Sequence, residues 1–206
     1  MSKPIRIHSF ALSGHSHRVT LFAALAGIPH QLVPVDLAVG EHKTPQFLAL
    51  NPAGQVPVIE DGEIVVSDSN AILVYLAMRY APDYLPTEPC RAAEVQKFLS
   101  LAAGEIAFGP AAARRALVFN AAVDRDGAVA IAERVFAKLE AHLRGRRFLV
   151  ADRPSIADVA IYSYTRHAPE GGISLQLYPH IQHWLTQVEA LPGFVPMPVS
   201  PTGLAA

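Results

Sequence analysis

Asp61-Gly62 separates two short β-forming runs, one holding Val56, Val58 and Ile59 and the other Ile64-Val65-Val66. A two-residue Asp-Gly loop matches the right-handed twist of its flanking strands, so the segment predicts an antiparallel hairpin. What precedes it follows another pattern. Ile5-Arg6-Ile7-His8-Ser9-Phe10 reads as a strand, and His17 to Ala26 sets Val19, Leu21, Phe22, Leu25 and Ala26 at helical spacing. Gln31-Leu32-Val33-Pro34-Val35-Asp36 reads as a second strand. Strand, helix and strand with short joins dictate a right-handed crossover and parallel pairing. Gly27 is placed to cap the helix and Pro29 to stop it, while Pro34 cannot donate to a ladder and puts its strand at an edge. A short helix over 45–50 and a longer one over 70–80 complete residues 1–80 as βαβαββα.

Residues 81–90, APDYLPTEPC, hold three prolines and no periodicity and read as a linker. Residues 91–206 carry helical patterns only. One amphipathic helix spans 91–108, and an alanine-rich one spans 111–122. A third, over 128–143, sets Val129, Ala132, Val135, Phe136 and Leu139 inward and stops at Gly145. Ser155-Ile156-Ala157-Asp158 has the spacing of a capping box and opens an apolar helix to Arg166, while Pro179 starts a last helix to Ala190. Trp184 and its apolar neighbours read as core. The fold class expected is a small α/β domain joined to an all-α domain, with no internal repeat.

Bulk properties exclude several classes of function. The formal net charge of -1 leaves no electrostatic footprint for a nucleic acid or an anionic membrane. No apolar run reaches the roughly 20 residues that span a bilayer, and Met1-Ser2-Lys3-Pro4 leads into a strand without a signal-like apolar region. The single cysteine, Cys90, cannot form an intrachain disulfide, which fits a reducing, cytoplasmic setting, and no motif surrounds it to make it a nucleophile. His8, His15 and His17 lack ligand spacing typical of zinc, so no metal is expected.

Pro57 interrupts the first hairpin strand, where a proline belongs only at an edge, a strand start or a bulge. Its context is specific. Asn51-Pro52-Ala53-Gly54-Gln55-Val56-Pro57, Asp68-Ser69-Asn70-Ala71-Ile72, Gly40-Glu41-His42-Lys43 and Ser155-Ile156-Ala157-Asp158 occur together in this order. In these motifs, and in its βαβαββα-then-helical order, the chain resembles the cytosolic glutathione transferases. The likeness is to serine-type members of phi, theta and zeta character, whose first domain has the thioredoxin fold. Only about 5–6% of X-Pro bonds are cis, so a cis Pro57 is implied by the resemblance and not by the residue alone.

The resemblance further implies a site for the co-substrate glutathione, with two carboxylates, an ammonium and a thiol to be held. Val56, ahead of Pro57, would offer its main-chain N–H and C=O to the cysteinyl part. Ser69, at a helix N-terminus, would bind the γ-glutamyl carboxylate and Asp68 the ammonium, although many relatives have Glu at the latter position. His42, Lys43 and Gln55 would face the glycine carboxylate, and Arg18 would support the structure. The segment Ser13-Gly14-His15-Ser16 stands where related thiol-disulfide enzymes carry C-x-x-C, so a protein dithiol cycle is excluded there.

Ser13 lies five residues before Arg18, as the catalytic serine does in serine-type members, and its hydroxyl would donate to the sulfur. Lowering a thiol pKa by about two units takes roughly 2.7 kcal/mol. A charge-assisted hydrogen bond supplies about 1.5–3 kcal/mol and a helix N-terminus about 0.3–1. Ser16 competes for the role, but it reads as the cap of the first helix, with its hydroxyl committed. The electrophile pocket is expected between Ala11-Leu12 and Ala107, Phe108 and Ala111, and suits a small hydrophobic electrophile in detoxification-type chemistry. A homodimer is implied as well, although Ala53 stands where many relatives have an aromatic key residue. A non-catalytic binding module of the same fold is the alternative.

Overall fold

The computed structural model describes residues 3–200. Strands β1 (Ile5–Ser9), β2 (His30–Pro34), β3 (Val58–Asp61) and β4 (Ile64–Ser67) form one sheet in the order β2-β1-β3-β4. β1 and β2 are parallel, and the β1–β3 and β3–β4 pairs are antiparallel. Helix α1 (Gly14–Leu25) makes the crossover, α2 (Pro45–Leu50) precedes the hairpin, and α3 (Ser69–Tyr80) follows it. β2 is an edge strand, as Pro34 requires. The rest is helical: α4 (Pro89–Leu101), α5 (Pro110–Val118), α6 (Arg125–Leu143), α7 (Ile156–Arg166) and α8 (Pro179–Glu189).

Local chemistry moved several boundaries. α1 starts at Gly14 and not at His17, because Ser13 caps it: the Ser13 hydroxyl accepts from the Ser16 N–H at 3.2 Å. The capping role expected of Ser16 thus falls to Ser13, whose hydroxyl proton is not used by the cap. α4 starts at Pro89, inside the expected linker, because the Glu88 carboxylate caps it and proline is tolerated at a first-turn position. The helix expected over 91–108 passes through a π-helical turn at Ala102–Ile106. α6 starts early, at Arg125, under an Asp124 cap. Asp158 forms the expected capping box with Ser155 and also accepts from the Leu149 N–H and the Trp184 indole N–H, each at 2.9 Å.

One apolar cluster spans both halves, joining Ile7, Phe22 and Ile72 to Phe98, Phe136 and Trp184. On the other sheet face a smaller cluster holds Val35, Phe47 and Val58. The sheet register sets the site. Val58 pairs with Ser67 and His8 with Val58, so the segment after β1, the turn before β3 and the start of α3 all emerge at one end of the sheet.

Candidate active site

Ser13 is half-buried at the N-terminus of α1. Its main-chain N–H donates to Phe10 C=O at 3.0 Å, and its hydroxyl, accepting from Ser16, keeps its own proton for another acceptor. Ser16 is buried, and its hydroxyl accepts from the Phe10 N–H at 3.2 Å, which anchors the end of β1. Gly14 leaves no alternative there, since a Cβ would lie 2.7 Å from the buried Tyr164 ring.

The Val56-Pro57 peptide is cis. Val56 lies outside the ladder, which starts at Val58, and its N–H and C=O have no hydrogen-bond partner among the described residues. Asp68 adopts φ 69°, ψ 122°, an uncommon conformation for a non-glycine residue, and one of its oxygens accepts from both Asn70 and Ala71 N–H at 2.9 Å. Asp68 therefore caps α3, with its second oxygen unpaired among the described residues. Ser69 is buried at the first turn of α3 with its N–H free of any partner among those residues.

Arg18, 1% exposed, lies behind Ser69 and donates from one terminal nitrogen to Ser69 Oγ and Asn70 Oδ1, each at 2.8 Å. Its remaining two nitrogens have no partner among the described residues. Burial lowers its pKa to about 10, so it stays charged at neutral pH. Because Arg18 supplies a proton to Ser69 Oγ, the Ser69 hydroxyl proton is left for an acceptor. His15 Nδ1 lies 3.3 Å from Ser69 Oγ, tying the Ser13 turn to α3, and its ring packs edge-on against Tyr164. Burial first, then the charges of Arg18 and Arg115, hold His15 neutral with a pKa of about 3. Arg18, Arg114 and Arg115 likewise oppose the upward push of burial on Tyr164. The surroundings of Ser13 thus carry positive charge that favours an anion.

His42 and Lys43 form a 3₁₀ turn packed on the loop before Pro57: Lys43 Nζ reaches Gly54 C=O at 3.4 Å, and Gly54 has no room for a side chain against His42 C=O and Lys43. His42 Nδ1 is buried without a partner among the described residues, and Asn51 holds Gln55 C=O at 2.8 Å. The expected electrophile residues divide. Ala11 is exposed and Leu12 partly so, and Phe108 is 67% exposed. Ala107 is partly buried at the end of the π turn. Ala111 is 2% exposed and packs in the core, so it cannot line an open pocket. Next to Ala11, the Phe10 ring lies against Phe119, 6.1 Å between ring centres. A groove of about 650 Å³ lined by Arg166, Ile173, Gln182 and Glu189 involves none of the expected site residues.

Sequence reasoning missed Arg114, Arg115, His15 and Tyr164 as neighbours of Ser13. Only the unusual Arg-Arg pair inside an alanine-rich helix hinted at them. No group of three or more His, Cys, Asp or Glu that could hold a metal occurs among the described residues.

A four-stranded mixed sheet with a cis-proline turn, followed by an all-helical half, defines the thioredoxin-like, two-part architecture of glutathione transferases. Comparison with known proteins agrees. Residues 12–79 match the model of the glutathione S-transferase N-terminal domain, and residues 102–192 match that of the C-terminal domain. Glutathione S-transferase 3 of Zea mays is 31% identical, with 98% of this chain and 99% of that protein covered. A glutathione S-transferase structure from Pseudomonas fluorescens superposes with a TM-score of 0.89 at 30% identity, covering 95% of this chain and 99% of that one. A solved glutathione S-transferase-I bound with lactoylglutathione gives a TM-score of 0.79 at 26% identity over 93% of this chain and 96% of that one. The chain belongs to the glutathione S-transferase family.

Proposed function

We propose that this protein binds glutathione at the end of the sheet, ionises its thiol beside Ser13, and transfers the thiolate to a small apolar electrophile. The observation that carries the reading is a convergence: Ser13 with a free hydroxyl proton, Val56 with unpaired backbone groups, and Ser69 backed by the buried Arg18 charge. Each matches one part of the tripeptide. Ser69 N–H and O–H receive the γ-glutamyl carboxylate at the N-terminus of α3. The free oxygen of Asp68 receives the ammonium, and Val56 N–H and C=O pair with the cysteinyl unit. His42, Lys43 and Gln55 face the glycine carboxylate. That a relative of this fold holds lactoylglutathione supports the ligand class.

In the reaction, the thiol proton leaves to solvent and the Ser13 hydroxyl donates to the sulfur anion. The sulfur then attacks an electrophilic carbon and displaces its leaving group, or adds to it. The electrophile lies beside Ala11-Leu12 and is flanked by Ala107 and Phe108. The first domain ends near residue 80 and the helical domain opens with α4 at Pro89 after a short linker, and the protein acts in the cytoplasm as a homodimer through α3 and α4. Calorimetric titration with glutathione, alongside a steady-state assay with glutathione and a chloronitrobenzene, tests the reading. Binding with adduct formation supports it. Binding without turnover makes the protein a glutathione-holding module, and absence of both overturns the site assignment.

A further inference from the structure

The peptide unit between Leu12 and Ser13 is held on both faces. Its N–H, from Ser13, donates to Phe10 C=O at 3.0 Å, and its C=O, from Leu12, accepts from Arg114 Nη1 at 2.8 Å. Arg114 belongs to α5, 102 residues away in sequence. A peptide unit is planar, so fixing its two polar ends fixes the direction in which the chain enters Ser13.

Arg114 is itself rigid. It is 1% exposed, and its Nε donates to Glu170 Oε2 at 2.6 Å. Glu170 is fully buried in the turn after α7, and its other oxygen accepts from His167 Nδ1–H at 2.7 Å and from the Ser200 N–H at 3.2 Å. Gly171 lets that turn approach the α5 backbone, since a Cβ there would lie 2.7 Å from Arg114 N. The Arg114 guanidinium also stacks 5.7 Å from the Phe119 ring. A buried ion pair of this kind contributes little to stability compared with well-packed apolar residues. Its geometry, by contrast, is specific, because a guanidinium can donate in two fixed directions at once, here to Glu170 and to Leu12.

We infer that Arg114 is a positioning residue for Ser13: the His167–Glu170–Arg114 chain sets the Leu12-Ser13 peptide from the helical half and so aims the Ser13 hydroxyl. The inference rests on the role proposed for Ser13, but the holding of the peptide can be read without any substrate. A lysine at position 114 keeps a cation beside Glu170 and loses the second, divergent donor.

The test compares wild type, Arg114→Lys and the double variant Arg114→Met/Glu170→Met, which replaces the ion pair by apolar side chains of similar size. In amide exchange without glutathione, the Ser13 N–H should exchange about 10-fold faster in both variants, as loss of one hydrogen bond implies, while Ile7 and Ile59 stay within about twofold. In the assay, kcat should fall about 10-fold with KM for glutathione within about twofold, and the pH profile should move to higher pH. Unchanged Ser13 exchange in both variants would overturn the inference, as would an unmoved pH profile in variants that turn over. An inactive wild type with faster Ser13 exchange in the variants would overturn the proposed function and leave the positioning by Arg114 supported.

Discussion

Replacing Ser13 by Ala removes two roles of one oxygen, the cap seen in the structure and the proposed donor to the sulfur. As the α1 cap, Ser13 Oγ accepts from the Ser16 N–H, and losing a serine cap costs about 1 kcal/mol. As the proposed donor to the sulfur anion, it contributes a charge-assisted bond of about 1.5–3 kcal/mol, or about one to two pKa units. The two effects separate by substitution. Ser13→Ala should lose both: a modest drop in urea midpoint, and a kcat/KM for the electrophile, at saturating glutathione, about 10- to 100-fold lower at pH 7 and recovering as the pH rises. Ser13→Asp keeps a good cap, so stability should return, but its carboxylate opposes the thiolate and activity should stay low. Ser16→Ala strips the acceptor from the partly buried Phe10 N–H, costing about 1 kcal/mol of stability, and should leave the pH profile in place. A wild-type profile for Ser13→Ala together with a displaced one for Ser16→Ala would refute the assignment and give the role to Ser16.

Ser69→Ala should raise the calorimetric glutathione dissociation constant by about 10- to 150-fold with the thiol pKa in the complex little changed, because the bond it loses is to the distant γ-glutamyl carboxylate. The same change removes an acceptor of the buried Arg18, so a lower melting temperature should accompany it. His17 is buried, donating from Nε2 to Val195 C=O and accepting at Nδ1 from Ser163, and burial lowers its pKa to about 4. Its unfolded-state value is higher, so the unfolded chain gains the proton first as the pH falls from about 6.5 to about 4. Stability should then drop by up to about 1.4 kcal/mol per pH unit from this group, and urea midpoints at pH 7, 6 and 5 should fall less steeply in His17→Gln. Light scattering at micromolar concentration should give twice the chain mass; a monomer would remove the dimer from the account.

The fold was largely legible because its signals are local. Asp61-Gly62 turns the hairpin, Pro34 marks an edge strand, and Ser155 with Asp158 caps α7 in the way the spacing required. The boundaries that moved did so at caps: Glu88 opens α4, Asp124 opens α6, and at α1 two serines compete for one role. Ser13 and Ser16 are both good caps, and the helix begins at the earlier one, where Ser16 Oγ is already taken by the Phe10 N–H and Gly14 fits against Tyr164. Pro89 looked like linker but opens α4. The residues around Ser13 were least legible. Arg114 and Glu170 are 56 positions apart and carry no shared periodicity, so nothing in sequence marks them as a buried pair. Ala111 fitted a small apolar pocket by type, yet the turn of α5 faces it into the core.

The most direct test of the account is ultraviolet titration of the thiolate in the wild-type glutathione complex. Free glutathione ionises like any thiol, near pH 8.5, and the donor at Ser13 with the α1 N-terminus should bring the midpoint in the complex down by about one to two units. A midpoint between about 6.5 and 7.5 agrees with the account. A midpoint at or above that of free glutathione, in a complex shown by calorimetry to be saturated, contradicts it.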